Sequence, residues 1–458
     1  MPGIETLPPP RLRAWIAIIA LCGLILRIAA ARGSLWLDEA WSAVLAHQVQ
    51  TPLGVFVQIN HDNNHHLNSL WLQFVGLGAP PLVARALSIA AGTLAVFVAG
   101  LIGARRGPAA GIATALLFAV SPVMVNLGSE ARGYAPMMLM VLIAIWYVDR
   151  FLDGEPEADR PATLAICFFV GALFQLTMAF MACALVGWVL LALWRRDGWR
   201  IAIGRTARLL GPACGALLLA VGIVFAPVLM GGAEFRLGSI APFSFSDLGI
   251  GLRTMLGYTL GLPALLLALV GALALAMRTP RLAFYALALI AFPLAIVVLR
   301  PVNAGHARYY LLIGMALLLL VGEALPALLR RSRPAAIGAI LVLGTACLAS
   351  DLALIRDGRG DVAPAVDALA VRAPQGAHVG VVRESGLALM EVAAAEGRYP
   401  IRVDNACRSA RFVFTEWFEG EAPDRFATRL CGAGLRAITS ARSRGPSGQN
   451  WTLYERVG

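Results

Sequence analysis

The sequence has no lysine: all 38 of its basic residues are arginine. It is also poor in charge, at 14% of residues, and in aromatics, at 8%, whereas hydrophobic residues reach 59%. That balance excludes an ordinary soluble domain and fits a polytopic membrane protein. Exclusive use of arginine marks a compositional bias rather than a basic binding surface, so the net charge of +11 does not imply nucleic acid. Seven cysteines show neither CxxC nor Cys/His ligand spacing, which leaves a zinc or disulfide framework unsupported. Five of them (Cys22, Cys167, Cys183, Cys214 and Cys347) lie in apolar runs as packing residues.

What is present is a series of apolar segments of roughly 17–25 residues, the length that crosses a ~30 Å hydrocarbon core. About eleven spans are expected, at 14–32, 82–104, 108–126, 134–151, 162–178, 180–194, 207–229, 255–277, 282–299, 309–328 and 335–354. Arginines alternate from loop to loop. Arg11, Arg13, Arg105, Arg106, the 195–208 cluster, Arg278, Arg281 and "LRRSR" at 329–333 fall on one side, the cytoplasmic side if the N-terminus is inside. Loops with Asp38, Glu130, Glu234 and Arg308 fall on the other, and an odd number of spans sends the C-terminus there too. "AAARGS" resembles a signal cleavage site, but the long apolar run and the further spans favour an uncleaved first helix.

Past residue 356 the pattern changes. "AHVGVVR", "ARFVFTE", "LRAITSA" and "NWTLYER" read as strands, and 385–397 and 421–432 as helices. The expected organisation is a membrane domain over 1–355 with an exported loop at 33–81, followed by a small α/β extracytoplasmic domain over 356–458. That tail has no GxGxxG or P-loop, so no nucleotide site is expected there. Cys407 and Cys431 both lie in it, either as a disulfide or as two buried thiols.

The stretch "GSLWLDEAWSA" sets Asp38 and Glu39 among tryptophans and leucines just beyond the first span. A single helix from Trp15 to His47 would be about 50 Å long, far more than the hydrocarbon thickness, so the span ends near Arg32 and both carboxylates lie at the membrane face. Asp38 would share a helix face with Trp41 and Ser42, with Glu39 pointing elsewhere. The local alternative is an acidic cap starting an interfacial helix. Other exported loops carry complementary groups: His61, Asp62, His65 and His66 in "NHDNNHHLNSLW"; Glu130, Arg132 and Tyr134 in "GSEARGY"; and Arg300, His306, Arg308, Tyr309 and Tyr310 in "RPVNAGHARYY". Ionisable groups gathered at one depth form a candidate site. A carboxylate there can accept a proton, and arginines can hold a phosphate. His61 and His65, at i, i+4 spacing, are a candidate metal pair without the HExxH pattern. Arg27, inside the first span, is expected to snorkel outward and stay out of the site. Glu234, Arg253 and Tyr258 are candidates to border a lipid donor.

"LWLDEAWSA", "HHLNSLWL", "SEARGYAPMMLMVLIAIWYV" and "HARYYLLIGMALLLL" occur in the order found in the membrane-embedded GT-C glycosyltransferases. The sequence resembles bacterial relatives of protein O-mannosyltransferases and lipid A aminoarabinose transferases. The resemblance implies that Asp38 is the catalytic base or a metal-linked acid, and that Glu39 completes the acidic pair. It sets His65 or His66 where many members have "HPP", although "HHL" lacks the prolines. It matches Glu130, Arg132 and Tyr134 to "EAR-x-Y", with Gly133 where a bulkier residue or proline is common. Arg308 and Tyr309 match the "RY" element tied to the donor phosphate, with Arg132 as a further phosphate ligand. Glu130, Tyr134, His65, His66 and His306 are implied substrate contacts. The implied reaction is inverting transfer of a sugar from a polyprenyl-phosphate carrier to a lipid, glycan or protein acceptor, with a divalent metal ion as an optional cofactor. The arginine-only, alanine-rich composition suits a bacterium, hence an undecaprenyl carrier, the inner membrane and the periplasm. A lipid-linked sugar transporter or flippase, or a non-catalytic subunit of an envelope glycan assembly, are the competing readings. The absence of an internal repeat and the collection of acids at one face weigh against transport.

Overall fold

The computed structural model describes residues 8–61, 64–231, 242–255, 280–302, 306–417, 421–445 and 448–457. The expected span at 255–277, Asp62, Glu234, the Arg253 side chain and Tyr258 lie outside what it describes.

Proline sets many helix starts. α1 (Pro10–Ala30), α3 (Pro52–Val57), α5 (Pro81–Ala104), α6 (Pro108–Val120), α7 (Pro122–Leu127) and α9 (Pro161–Phe174) all carry it in the first turn. There its missing N–H has no intrahelical partner to lose. Between them run α2 (Leu37–Gln48), α4 (His66–Val75) and α8 (Tyr134–Leu152). The chain continues through α10 (Met178–Asp197), α11 (Trp199–Val224), α12 (Ala226–Gly231), α13 (Phe245–Met255) and α14 (Leu282–Leu299). After a 3-10 turn, Ala307–Tyr310, come α15 (Leu311–Arg331) and α16 (Arg333–Asp357).

Eight helices among the described residues are long and apolar enough to cross a membrane: α1, α5, α8, α10, α11, α14, α16, and α15 taken from Arg308. Two expected spans are shorter. α6 has 13 residues because Ser121, ahead of Pro122, is extended. α9 has 14 because the chain turns extended at Gln175. Val96, Phe118, Leu142, Phe168 and Trp188 are buried between helices, whereas Ile25, Leu94, Leu218, Val298 and Leu341 face outward. This apolar exterior around an apolar core is that of a multi-pass membrane protein.

Arg27 does not snorkel. It is buried, donating from Nη1 to the Gly23 carbonyl (2.9 Å) and from Nη2 to those of Phe118 (3.2 Å) and Met124 (3.3 Å), where the α6–α7 break frees backbone acceptors.

At the opposite end of the bundle from Asp38, buried charges join four helices. Asp149 of α8 accepts from Arg281 Nε (3.0 Å) and Nη2 (2.6 Å), from Arg105 (2.8 Å) and from Arg106 (2.9 Å). Arg281 also pairs with Glu323 of α15, which accepts from Tyr285 (2.7 Å) of α14.

The C-terminal part holds α17 (Ala363–Arg372), β1 (Ala377–Val381), α18 (Ser385–Glu396), β2 (Ile401–Asp404), β3 (Phe412–Trp417), α19 (Pro423–Cys431), β4 (Leu435–Ala441) and β5 (Asn450–Arg456). Its sheet has the order β2-β1-β3-β5-β4, with the first three parallel and β5 antiparallel to its neighbours. The short edge strand β2 and helix α17 go beyond the elements read from sequence. Cys407 and Cys431 form a disulfide. Its larger apolar cluster is shared: Val366, Leu389, Ala393 and Phe414 pack with Leu35, Ala40 and Val44 of the first loop.

Asp149→Ala removes the main partner of buried Arg281, and breaking such a pair costs about 3–5 kcal/mol. Thermal unfolding in detergent should fall accordingly; an unchanged midpoint would show that the cluster does not hold these helix ends together.

Candidate functional site

α1 stops at Ala30, and Gly33, at φ +84°, turns the chain along the membrane face. Glu39, third residue of α2, accepts from the Trp36 backbone N–H at 3.1 Å, closing the helix start. The two adjacent carboxylates then part company. Glu39, expected beside Asp38 in the chemistry, is fully enclosed. Arg85 of α5 grips it through Nε (2.9 Å) and Nη2 (2.6 Å), and the Ala131 N–H donates to it at 2.5 Å. Arg85 spends its other donors on the carbonyls of Ala31 (2.8 Å), Gly33 (2.8 Å) and Ser34 (2.9 Å). The pair thus fastens the turn before α2, the α2 start and the 126–133 segment to one point. Burial pushes the Glu39 carboxyl up, but Arg85 outweighs it and leaves it below its ordinary value.

Asp38 is half-buried. Arg132 and Arg308 both donate to its Oδ2, Arg308 Nη1 at 2.8 Å. Burial raises the Asp38 carboxyl, yet these two guanidinium groups together hold it below its ordinary value. It is therefore a carboxylate at any physiological pH. The Nε–H of Arg308 and the indole N–H of Trp36 are both buried, and neither has a hydrogen-bond partner among the described residues. Unpaired buried donors are costly, and here they sit beside a guanidinium pair already converged on an anionic oxygen.

His65 supports Arg132. Its Nε2 accepts from Arg132 Nε at 3.2 Å, and its Nδ1 faces the Phe174 carbonyl at 3.0 Å. Those partners assign the Nδ1–H tautomer. Burial, reinforced by Arg132, pushes the imidazole down to about 3, so it stays neutral. Tyr134 stacks under Arg132, its ring centroid 5.1 Å from the guanidinium carbon, and meets the His65 ring edge-on at 5.2 Å. Gly133 is required here, because a Cβ would collide with the Phe174 carbonyl; this accounts for glycine where the resembled motif has larger residues.

Glu130 lies behind Arg132, buried. It accepts from Asn126 Nδ2 at 3.0 Å and lies 3.7 Å from Arg359. Burial pushes its carboxyl up, opposed by Arg359. Tyr309 lies 5.8 Å from the Arg308 guanidinium carbon, and His306 meets the Tyr309 ring at 6.0 Å. His66 turns away, sharing a 3.3 Å contact with Asn64 Nδ2 and stacking on Phe56; burial lowers it to about 4. His61 stacks on Trp41.

The metal expectation does not fit. The lone pair of His65 is taken by Arg132, and two cations already face Asp38. Among the described residues no three His, Cys, Asp or Glu side chains converge. Sequence reasoning missed Arg85 and Arg359. A lone arginine near the start of an apolar span was the available signal for Arg85; Arg359 gave none in a chain with 38 basic residues, all arginine.

Glu39→Ala leaves Arg85 buried and uncompensated and should cost about 3–5 kcal/mol, whereas Asp38→Asn, which gives up only a half-buried pairing with Arg132 and Arg308, should cost less at pH 7. Both folded carboxylates lie below their ordinary values of 3.8 and 4.5. Their stabilisation is complete above those values and drains as pH falls through the folded ones; Glu130, raised by burial, has the opposite sign. Unfolding midpoints measured from pH 7 to 3 should drop at the acid end, less steeply in Asp38→Asn. Equal acid slopes in both proteins would contradict the pairing.

No protein-family sequence model matches the chain. No curated protein matches it by sequence. Solved structures do match. ArnT from Cupriavidus metallidurans bound to undecaprenyl phosphate aligns with a TM-score of 0.57 at 14% identity, covering 97% of this chain and 98% of ArnT. The arabinofuranosyltransferase AftD from Mycobacteria aligns at 0.53 and 17% identity, over 97% of this chain and 40% of AftD. The oligosaccharyltransferase AglB from Archaeoglobus fulgidus, in complex with an inhibitory peptide and a dolichol-phosphate, aligns at 0.53 and 11% identity over 98% of this chain and 74% of AglB. Nearly end to end, this chain has the GT-C glycosyltransferase fold.

Proposed function

We propose that this protein is an inverting glycosyltransferase that moves a sugar from a polyprenyl-phosphate carrier to a lipid, glycan or protein acceptor. The observation that carries the reading is the Asp38 cluster. Two guanidinium groups converge on one carboxylate oxygen, and that of Arg308 keeps a buried N–H with no partner among the described residues. That arrangement suits the polyprenyl phosphate monoester that leaves as the sugar of the diester donor is transferred, since it gains an acceptor oxygen in that step and takes arginine bidentately. Structures of the same fold hold undecaprenyl phosphate in ArnT and a dolichol-phosphate in AglB.

In the reaction, an acceptor hydroxyl or amine gives its proton to the Asp38 carboxylate as its heteroatom attacks the anomeric carbon. The bond from that carbon to the phosphate oxygen breaks, and its electron pair leaves with the phosphate. Arg308 and Arg132 shift toward the charge that develops there. Base and leaving group lie on opposite sides of the sugar, so one displacement with inversion needs a single base and no covalent intermediate. Tyr309 and His306 flank Arg308, and Tyr134 and His65 fix Arg132. Glu39 serves as a positioning residue, since its oxygens are committed to Arg85, Trp36 and Ala131.

The reaction is assigned to the outer face of a bacterial inner membrane, with the N-terminus cytoplasmic and the C-terminal α/β domain periplasmic. The arginine distribution supports that orientation, and the Cys407–Cys431 disulfide supports an oxidising compartment.

The test is cellular. Lipid-linked and envelope glycans are compared in a deletion strain carrying wild type, Asp38→Asn or Arg308→Ala at equal protein levels. Loss of a well-placed base costs about 10²–10⁴-fold in rate, so one sugar-modified product should vanish with Asp38→Asn while its lipid-linked donor accumulates. Wild-type glycans in Asp38→Asn cells would make the carboxylate structural and favour a transport or assembly role.

A further inference from the structure

The linker into the C-terminal part sends Arg359 to the 126–133 segment. Arg359 lies two residues beyond α16, where the chain leaves the membrane helices for the sheet domain. It is buried at 2% exposure, far from where an arginine on a polar linker would ordinarily lie. Its Nη1 donates to the Ala30 carbonyl at the end of α1. Its Nη2 lies within bonding distance of the Asn126 carbonyl (2.9 Å), Asn126 Oδ1 (3.0 Å) and Ser129 Oγ (2.9 Å), and 3.7 Å from Glu130. One guanidinium therefore bridges the last turn of the span that leads to Asp38 and the segment that carries Glu130 and Arg132.

The surroundings exclude a loosely held tail. Helix α18 packs on α2, and both belong to one apolar cluster. Glu396, last residue of α18, lies beside Ser34 and Leu35, the residues between Arg85 and the α2 start. Trp451 of β5 donates to the Asp361 carbonyl at 2.9 Å, fixing the linker two residues past Arg359. The sheet domain is thus anchored on both sides of Arg359. Arginine suits the place because its planar fork satisfies several acceptors in fixed directions, which lysine cannot do.

We infer that Arg359 is a positioning residue that locks the 126–133 segment against the end of α1, so that the C-terminal α/β domain is a working part of the site that presents Arg132 to Asp38. Arg359 touches neither Asp38 nor the place assigned to the donor phosphate; it acts through Glu130, Asn126 and Ser129. The consequence for donor binding rests on the transferase reading, whereas the lock itself does not.

The experiment uses the full chain in nanodiscs and two readouts on wild type, Arg359→Ala and Arg359→Lys. The first is hydrogen exchange of the 126–133 amides without ligand. The second is the dissociation constant for undecaprenyl phosphate, used as the probe. Hydrogen bonds to a charged group that are lost should raise exchange in 126–133 by about 10–100-fold in Arg359→Ala, with the β1 and β3 amides unchanged. The dissociation constant should rise at least tenfold, and Arg359→Lys should recover part of both by restoring the charge alone. Exchange in 126–133 equal to wild type overturns the inference, as does a rise spread evenly over the whole chain. If exchange responds as expected but wild type itself does not bind undecaprenyl phosphate, the lock stands and the donor assignment falls. Should Arg359→Ala not accumulate, Asn126→Ala removes one acceptor of Arg359, the side-chain Oδ1, and the amide that holds Glu130 while keeping the backbone carbonyl, and the same two readouts decide, with a smaller rise expected.

Discussion

The geometry of the site depends on one buried ion pair, Glu39 with Arg85. Glu39 and Arg85, both without solvent exposure, neutralise each other and between them satisfy the backbone of the Ala31–Trp36 turn and the Ala131 amide. A buried ion pair adds little net stability compared with apolar packing, yet removing one partner is severe. Its value here is geometric. It fixes where the first span ends and α2 begins, and adjacency in sequence then forces Asp38 onto the other side of the helix start, facing Arg132 and Arg308.

Around that point charge is arranged in two layers. The inner one, Glu39, Arg85, Glu130 and Arg359, is closed to water and largely self-compensating. The outer one, Asp38, Arg132 and Arg308, sets two cations on one anion, and the buried Arg308 Nε–H has no partner among the described residues. An excess of donors beside the membrane surface is what an anionic headgroup would complete, and the inner layer keeps those donors from relaxing toward other acceptors. His65, held neutral between Arg132 and the Phe174 carbonyl, orients the guanidinium without adding charge.

Much of this was legible in the sequence, for reasons that can be named. Apolar run lengths report spans because the bilayer fixes them, and they fail where a proline interrupts, as at Pro122, or where a turn is needed, as at Gln175. The polar loops "LWLDEAWSA" and "SEARGY" mark a site because ionisable groups near lipid need partners. The division between Asp38 and Glu39 was visible only as helix geometry: which carboxylate would be enclosed depended on Arg85, 46 residues away. The fusion of the C-terminal domain with the first loop left no local trace, since Leu35, Val44, Leu389 and Ala393 look like ordinary core residues of two separate units. Arg27 misled for the same reason: its acceptors are carbonyls freed by a helix break 91 residues on.

The account turns on whether the two arginines exchange Asp38 for a phosphate. A cryo-EM structure of the full chain in nanodiscs with undecaprenyl phosphate measures that directly. The account predicts the phosphate within hydrogen-bond reach of Arg308 Nε and of Arg132, with the Arg308–Asp38 contact opened and Glu39–Arg85 unchanged. A lipid phosphate bound elsewhere, with Asp38 still held by both arginines, would contradict it.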